Sequence, residues 1–401
     1  MANVSSSNGL EKRPKLRFPG FDDPYRKCRI GDIYGERSQR GAGDMELLSV
    51  TMNDGVMPRT EIEGKDNSSE DKSNYKVVCK GDMVYNSMRM WQGANGVSNY
   101  DGIVSPAYTV LMPTEEIDNQ YFAALFKTSN LINEFRKNSQ GLTSDTWNLK
   151  YPQIRPIRLC IPSLQEQNKI SSFIGTLEER ISKQRQLVDS LKKYKRGAVR
   201  HLLSAKSCPL KNARWTTTKM GELGSFVKGA PLSKADISED GTPFILYGEL
   251  YTTYNEVVNS VKRRTQAQVD EIFLSCVGDV VIPTSGETPE EISTASCVML
   301  PGVILAGDLN IFRSDKVDGR IMSYLLNHVV NRAVARVAQG KSVVHVQASD
   351  ISDIEVTYPD KAAQKKMAEF FDKISKKVTV EEQKLEHLQQ TKKGLLQQLF
   401  I

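Results

Sequence analysis

The sequence predicts an α+β protein: two mixed, strand-rich globular domains in tandem repeat, joined by two long antiparallel coiled-coil helices with pseudo-two-fold symmetry. Two observations lead to this prediction. The chain of 401 residues repeats itself at a shift of 197 positions, and repetition at a fixed period marks duplicated structural units. Each copy ends in roughly 40 residues that have the apolar spacing of a coiled coil.

The internal repeat is strongest over its helical part. Residues 162–203 align without a gap on residues 359–400, and nine of the 42 pairs are identical. Ahead of the helices, Lys80–Val84 aligns with Val277–Val281 at the same shift. Because the globular parts differ far more than the helices, the pattern favours one mode of action applied to two targets. A duplicated pair that has merely drifted apart stays an open alternative.

Both helical segments have an apolar seam whose positions alternate steps of four and three residues. Polar residues interrupt it at the same two places in each copy: Gln184 and Lys195 in the first, Glu381 and Lys392 in the second. Polar seam residues fix register and partner at a cost in stability, so the matched interruptions predict that the two helices pair. The predicted helix-pair seam comprises Ile174, Leu177, Ile181, Val188, Leu191, Phe371, Ile374, Val378, Leu385 and Leu388.

The helix starts and two glycines add local detail. Ser163 followed by Glu166 predicts a capping box, in which two backbone N–H groups are satisfied reciprocally, and Asp360 predicts a simpler N-cap. Gly197 and Gly394 lie inside the helices, where glycine costs about 1 kcal/mol relative to alanine. Two explanations stay open for these glycines: a close backbone crossing or local fraying.

The repeat also predicts how the chain divides. We expect a flexible leader at 1–14, a first globular domain at 15–160, a first helix at 161–204, a second globular domain at 205–357 and a second helix at 358–401. The leader has no apolar core and does not have the pattern of a signal peptide.

The composition disfavours several classes of protein. No apolar stretch reaches the ~18 residues that cross a bilayer, so no membrane association is expected. The six cysteines are scattered without a C-x-x-C pair, which disfavours a disulfide framework and fits reduced thiols in the cytoplasm. The formal charge of +6 fits either ordinary solubility or an acidic partner such as nucleic acid, and charge alone does not decide between them.

The sequence shows no motif for chemistry of its own. A DNA methyltransferase needs a glycine-rich cofactor loop and an Asn/Asp-Pro-Pro-aromatic tetrapeptide, and the nearest string, Asp22–Tyr25, has a single proline and is typical of a turn. The four histidines are far apart in sequence, so neither a metal cluster nor a nucleophile–base pair is visible. We therefore predict no catalytic residue, no metal site and no cofactor in this chain.

Several segments carry a resemblance to a known family. They are Pro14–Phe21, Ile161–Ile170 and Lys392–Phe400, together with the turns at Gly81-Asp82 and Gly278-Asp279. In their order and duplication they resemble the specificity subunits of type I restriction–modification systems. The resemblance covers nearly the whole chain from about residue 14. The second copy departs from it, with Ala363-Gln364 in place of Glu-Gln.

The resemblance implies a non-catalytic, sequence-specific DNA-recognition subunit. Its globular domains would be target-recognition domains, each reading one half of a bipartite, asymmetric site in double-stranded DNA, with the helix pair setting the spacing. The implied protein partners are two methyltransferase subunits and two restriction subunits. Those partners would supply the chemistry of S-adenosylmethionine, ATP and Mg²⁺.

Four loops have the side chains that bind bases and phosphates. We name them loop A (86–95), loop B (139–148), loop C (284–288) and loop D (339–345). Trp91 in loop A and Trp147 in loop B are expected to anchor their loops rather than stack on bases. The candidate DNA-binding residues are Asn86, Ser87, Arg89, Gln92, Asn95, Gln140, Thr143, Asn148, Thr284, Ser285, Glu287, Lys341, Ser342 and His345.

Two other functions stay open at the level of sequence. A coiled-coil protein-interaction scaffold would not bind DNA at all, and its behaviour would not depend on salt. An autonomous modification enzyme would bind S-adenosylmethionine alone, which the missing cofactor loop disfavours.

Overall fold

The computed structural model describes residues 13–40, 44–52, 55–64, 66, 68–143, 146–338, 340 and 344–400. The chain forms two compact units: unit 1 comprises residues 1–185 and 383–401, and unit 2 comprises residues 186–382. Each unit holds one globular domain, the first part of the long helix that follows it, and the last part of the other long helix. The predicted α+β class is confirmed, whereas the predicted segment limits stay a prediction.

The described strands of the first globular domain are β1 (Arg26–Arg29), β2 (Tyr34–Glu36), β3 (Leu48–Thr51), β4 (Gly55–Pro58), β5 (Lys76–Val78), β6 (Met83–Asn86), β7 (Asn95–Val97), β8 (Gly102–Val104), β9 (Tyr108–Pro113) and β10 (Arg158–Ile161). The central sheet has the order β2-β9-β6-β7 and is antiparallel throughout. The pairs β3·β4, β5·β8 and β1·β10 are also antiparallel. Buried and half-buried residues alternate along β3 and β4, as expected for strands with one face on a core.

The first domain also contains helices at Ile30–Ile33, Asn119–Leu125, Ser129–Asn138 and Tyr151–Ile154, with 3-10 turns at Arg59–Glu61 and Met90–Gln92. Its core includes an aromatic cluster. Tyr34, Phe122, Phe126 and Phe135 are fully buried, and the ring centroids in contact are 5.5–6.3 Å apart, mostly edge to face. Such pairs stabilise a core beyond the area that they bury.

The described strands of the second domain are β11 (Trp215–Lys219), β12 (Ser225–Lys228), β13 (Thr242–Leu246), β14 (Val257–Val258), β15 (Arg263–Thr265), β16 (Asp279–Pro283), β17 (Ser285–Gly286), β18 (Ser296–Val298), β19 (Ile304–Ala306), β20 (Leu309–Arg313), β21 (Val344–His345) and β22 (Glu355–Pro359). They form sheets with the orders β12-β20-β16-β18-β14 and β15-β13-β19, and the pairs β11·β22 and β17·β21. Helices lie at Met220–Leu223, Glu249–Thr252, Pro289–Ile292, Gly319–His328, Asn331–Val337 and Ala348–Ser352, with 3-10 turns at Lys234–Asp236 and Glu271–Phe273.

The two long helices span Leu164–Leu202 and Lys361–Leu399. In unit 1, the start of the first helix and the end of the second share one core, and Lys392 pairs with Glu178. In unit 2, the end of the first helix and the start of the second also share one core, and Lys192 Nζ lies 2.6 Å from Glu382 Oε1. The segments therefore run antiparallel within each unit. Of the predicted seam, Ile174, Ile181, Val188, Phe371, Ile374 and Val378 are buried, and Leu177, Leu191, Leu385 and Leu388 are half-buried.

A buried glutamine joins each long helix to its globular domain. The Gln167 side chain accepts a hydrogen bond from the backbone N–H of Asp118 (3.1 Å) and donates one to the carbonyl of Pro162 (3.0 Å). Its counterpart Gln364 makes the same two bonds, with Asp318 N–H and the Pro359 carbonyl, both at 2.7 Å. The repeat preserves glutamine at this position because both ends of the amide are used.

The predicted capping box at the first helix is only half formed. The Glu166 N–H donates to Ser163 Oγ at 3.4 Å, but the Glu166 carboxylate accepts two bonds from the Arg17 guanidinium, both 2.8 Å long. A fully buried carboxylate binds a cation in preference to one backbone N–H, because the cation offsets its desolvation. The Asp360 cap is confirmed: its Oδ1 accepts from the N–H groups of Ala362 and Ala363.

The two helix glycines do not mark a close backbone crossing, so that explanation is wrong. Gly197 and Gly394 both lie within unbroken helix, and a Cβ added at either position would meet no atom of another segment within 4 Å. Gly197 lines an apolar groove in unit 2 together with Tyr194, Met367 and Phe370. Fraying is not seen at these positions either.

The seam lysine of the first helix binds the second globular domain. Lys195 Nζ lies 2.7 Å from Glu256 Oε2, and His328 Nε2 lies 2.7 Å from Glu256 Oε1. Burial opposes ionisation of Glu256, but the hydrogen bond from His328 and the charge of Lys195 outweigh burial and lower its pKa to about 2. Glu256 is therefore an ionised carboxylate inside unit 2, held by one residue of the helix and one of the domain.

We expect Glu166→Ala to lower the free energy of unfolding of unit 1 by about 3 kcal/mol, because it leaves the Arg17 guanidinium without its carboxylate at a buried site. Urea denaturation in a Trp215→Phe background reports on unit 1 through Trp91 and Trp147. The double variant Arg17→Met/Glu166→Met should recover part of the loss. The control Glu179→Ala removes an exposed pair with Lys183 and should cost less than about 0.5 kcal/mol. Equal effects of Glu166→Ala and this control would contradict the assignment.

We expect Lys195→Met to reduce the stability of unit 2 and to change its pH dependence. A carboxylate whose folded pKa is about 2, below the ordinary value of 4.5, stabilises the fold above pH 4.5, and this contribution is lost as the pH falls towards 2. Without Lys195 the pKa of Glu256 rises, so the stability difference between pH 6 and pH 3 should shrink. Urea titrations at pH 6 and at pH 3, followed by the fluorescence of Trp215, measure this difference in the free energy of unfolding. An unchanged difference would show that Lys195 does not hold this carboxylate.

Candidate nucleic-acid interface

The structure brings loops A and B of the first domain together. The Leu149 N–H, just after loop B, donates to the Ser87 carbonyl in loop A at 2.8 Å. The indole rings of Trp91 and Trp147 meet edge to face, with centroids 5.2 Å apart. Each loop therefore supplies one tryptophan to a contact between the loops, and the Trp91 Nε1–H is also bound to the Met88 carbonyl at 3.0 Å.

Loops C and D of the second domain are joined in the same way. The Val346 N–H, just after loop D, donates to the Thr284 carbonyl in loop C at 3.0 Å. These residues correspond to Leu149 and Ser87 at the shift of 197. In addition, β17 and β21 pair Ser285 with His345. One backbone hydrogen bond thus holds the equivalent loop pair in both domains, although the loops have different sequences.

Three of the candidate residues in loops A and B are turned inward. Ser87 is 3% exposed and its hydroxyl bonds to that of Thr109 at 2.8 Å. Asn95 is fully buried and its Nδ2 donates to the Gly93 carbonyl. The side-chain oxygens of Asn95 and Asn148 are buried without a hydrogen-bond partner in the described part of the chain. These residues shape the loops from within.

The other candidates in the first domain are more accessible. Arg89, Gln140 and Thr143 are exposed, and Asn86 and Gln92 are half-buried. Asn86 Oδ1 accepts from the Met88 N–H and holds the turn. Gln140 pairs through its backbone with Asn148, at 3.0 and 2.8 Å, and closes loop B as a hairpin. The Arg89 guanidinium and the Gln140 amide are thus the accessible groups with the chemistry for guanine and adenine.

Loop C presents different chemistry. Glu287 is exposed, and its N–H is held by Glu291 Oε2 at 2.8 Å. A carboxylate here can accept a hydrogen bond from the cytosine amino group. Thr284 is half-buried and is held by its backbone. Lys341 and Ser342 of loop D lie outside the described residues.

Ser285 and His345 form a hydrogen-bonded pair that does not have the geometry of a catalytic triad. Ser285 Oγ lies 2.9 Å from His345 Nδ1 and 3.2 Å from Asp308 Oδ2. In a triad the carboxylate binds the imidazole and orients it, whereas Asp308 binds the serine. Ser285 is 7% exposed, while His345 is exposed. The serine therefore fixes the imidazole at the surface of the loop pair.

Sequence reasoning missed two residues at these loops. Arg136 lies over the Trp147 ring, with its guanidinium carbon 5.3 Å from the ring centroid, and it is exposed. Asp308 holds Ser285 from a different turn. The basic last turn of the helix Ser129–Asn138 was the available signal for Arg136, but nothing local to Asp308 indicated its role.

Neither a metal centre nor a membrane span emerges from the described ranges. Within them, His, Cys, Asp and Glu side chains form no group of three that could hold a metal ion. Of the helices in the same ranges, none combines the length and apolar character needed to cross a bilayer.

Comparisons with known proteins agree with the fold. The family model for the type I restriction modification DNA specificity domain matches residues 29–192 and again residues 212–390. The solved type I restriction-modification S subunit from M. genitalium is similar over 97% of this chain and 99% of its own, at 13% identity and a TM-score of 0.62. A chain from a study of complex assembly and conformational transition of the type I R-M system matches over 96% and 99%, at 14% identity and a TM-score of 0.58. Since the family model matches most of the chain in two copies, the chain belongs to the type I restriction–modification DNA specificity family, and it is a DNA-recognition specificity subunit.

Proposed function

We propose that each globular domain reads one half of a bipartite, asymmetric DNA site, and that the chain itself catalyses nothing. The observation that supports this proposal is a backbone hydrogen bond between two loops that occurs in both domains. The Leu149–Ser87 and Val346–Thr284 backbone bonds hold equivalent loop pairs in both domains, so a similar surface is presented twice. Nothing in the structure favours the scaffold alternative.

The asymmetry of the DNA site would follow from the different side chains that the loop pairs of the two domains present. Loops A and B present Arg89 and Gln140, which suit guanine and adenine, whereas loop C presents Glu287, which suits cytosine. Two domains with one backbone frame and different side chains would read different half-sites. The two long helices, each shared between both units, would set the spacing between the half-sites.

The partners follow from the repeat. Two similar units offer equivalent surfaces to two copies of one protein, and we propose that these are methyltransferase subunits, with two restriction subunits joining them. The partners would supply S-adenosylmethionine, ATP and Mg²⁺ chemistry. This chain would recognise the DNA sequence, in the cytoplasm and without a cofactor of its own.

Exchange of residues 213–357 for those of a relative with another specificity should change one half-site and leave the other and the spacing unchanged. Methylation mapping of genomic DNA, in cells that keep the partner genes, gives the result directly. A change in both halves, or in neither, would contradict the modular assignment.

We expect Arg89→Ala and Glu287→Gln to affect opposite halves of the DNA site. Loss of one base-edge contact costs about 1–3 kcal/mol and relaxes specificity at one position. Competition binding with singly mismatched duplexes, using the complete methyltransferase complex, measures both effects. The exposed helix substitution Lys183→Ala serves as the control and should leave the recognised sequence unchanged. If both variants relaxed the same half-site, the assignment of one half to each domain would be wrong.

A further inference from the structure

Leu142 is an apolar side chain that loop B of the first domain presents entirely to solvent. The side chain is completely exposed, whereas the next most exposed large apolar side chain in the described ranges, Tyr194, is 60% exposed. Single apolar residues are common on protein surfaces, but they usually keep part of their area against their own chain. Leu142 contributes nothing to the core of its domain, so its apolar surface is free to meet a partner.

The backbone on both sides of Leu142 is fixed. Before it, Gly141 has a φ of +138°, and a Cβ there would lie 2.6 Å from the Thr146 carbonyl oxygen, so glycine is required. After it, the Thr143 N–H donates to Thr146 Oγ1 at 3.1 Å, and the Thr146 N–H donates to the Thr143 carbonyl at 3.0 Å. The leucine is therefore held in place before it binds, which lowers the entropic cost of binding.

The side chains beside loop B suit DNA as the partner. Arg136 lies in the last turn of the helix before the loop, Lys150 follows the loop, and both are exposed. Such cations bind phosphates. Gln140, two residues before the leucine, is also exposed and has the amide that suits adenine in the major groove. A tip bordered by cations and an amide favours nucleic acid over an apolar protein surface.

The major groove of DNA offers Leu142 a specific apolar partner. Base edges in this groove present hydrogen-bond donors and acceptors, and one base adds an apolar group, the C5 methyl of thymine. Contact of the leucine with a donor or acceptor would remove water from that polar atom without replacing its hydrogen bond, which is unfavourable. The chemistry of the groove therefore selects thymine.

The repeat gives the second domain a different side chain at this position. Gly340 of loop D aligns with Gly141 at a shift of 199, and a glutamine precedes both glycines. The φ of Gly340 is +136°, nearly that of Gly141. The next residue in the sequence is Lys341, where loop B has Leu142. A lysine suits guanine or a phosphate and not a methyl group, so the two loops have different chemistry after the same glycine.

We propose that Leu142 recognises the C5 methyl group of a thymine in the half-site that the first domain reads. This thymine belongs to a base pair next to the one that Gln140 contacts. The second domain, with Lys341 at the aligned position, makes no equivalent contact with a methyl group through this residue. The inference rests on the proposed function, because it names one base within the half-site that the first domain is proposed to read.

Replacement of thymine by uracil removes the C5 methyl group and keeps the hydrogen-bonding groups of the base. After methylation mapping has given the site, each thymine of the first half-site is replaced in turn. Competition binding with the complete methyltransferase complex then compares each uracil duplex with the thymine duplex. With the wild-type chain, uracil at one position should weaken binding about fourfold, the effect of one methyl group that is no longer buried.

We expect Leu142→Ala to bind the uracil and thymine duplexes equally at that position, because it lacks the side chain that contacts the methyl group. Leu142→Met keeps an apolar side chain and should retain most of the wild-type discrimination. Met112→Ala is the matched control: Met112 is also exposed, but it lies on β9 at the end away from loop A. This control should discriminate as the wild type does, and thermal unfolding should be unchanged in Leu142→Ala.

Several results would contradict the thymine assignment. A first half-site without thymine would overturn it, and so would an equal loss from uracil in the wild type and in Leu142→Ala. If uracil had no effect at any position and Leu142→Ala still weakened DNA binding, the leucine would contact DNA in another way, such as between stacked bases. If Leu142→Ala weakened binding of the methyltransferase subunit without DNA, the loop tip would be a protein contact and the assigned partner would be wrong.

Failure of the thymine contact and failure of the proposed function have different signatures. If methylation mapping gives no bipartite site, the proposed function itself is wrong. If it gives a bipartite site and the wild-type chain binds every uracil duplex as tightly as the thymine duplex, the proposed function stands and only the role of Leu142 fails.

Discussion

The contact on which both units depend is a glutamine amide at the start of each long helix. Gln167 and Gln364 are 3% and 2% exposed, and each joins the proline carbonyl before its helix to the N–H of an aspartate in the globular domain. Those aspartates, Asp118 and Asp318, in turn cap the next helix of the domain. Since a buried amide left without partners costs about 1–3 kcal/mol, domain and helix are held in one orientation in both units.

Around this common frame the two units are stabilised by different charges. Unit 1 has the Arg17–Glu166 pair between its N-terminal segment and the first helix. Unit 2 lacks that carboxylate and has Glu256 bound by Lys195 and His328. Both arrangements place an ionised carboxylate where burial is costly and offset the cost with a nearby cation.

In each loop pair, the groups that hold the loops in place differ from the side chains that are exposed. Backbone hydrogen bonds to the carbonyls of Ser87 and Thr284 join the two loops of each pair. Buried side chains such as Asn95 pack inside the loops. The exposed Arg89, Gln140 and Glu287 are left to vary in chemistry. A frame held by main-chain bonds tolerates such variation, because its geometry does not depend on which side chains project from it.

The sequence by itself determined the duplication, the two long helices and their pairing, because identities at a fixed shift and apolar periodicity are local signals. Tertiary structure decided the rest. Glu166 turns to Arg17, 149 residues away, and not to its own helix start. Ser87 and Asn95 are buried, although their loop is polar, and Gly197 faces an open groove and not a helix crossing. Each of these outcomes depends on which distant group satisfies a polar atom or fills a space, and local sequence does not encode that partner.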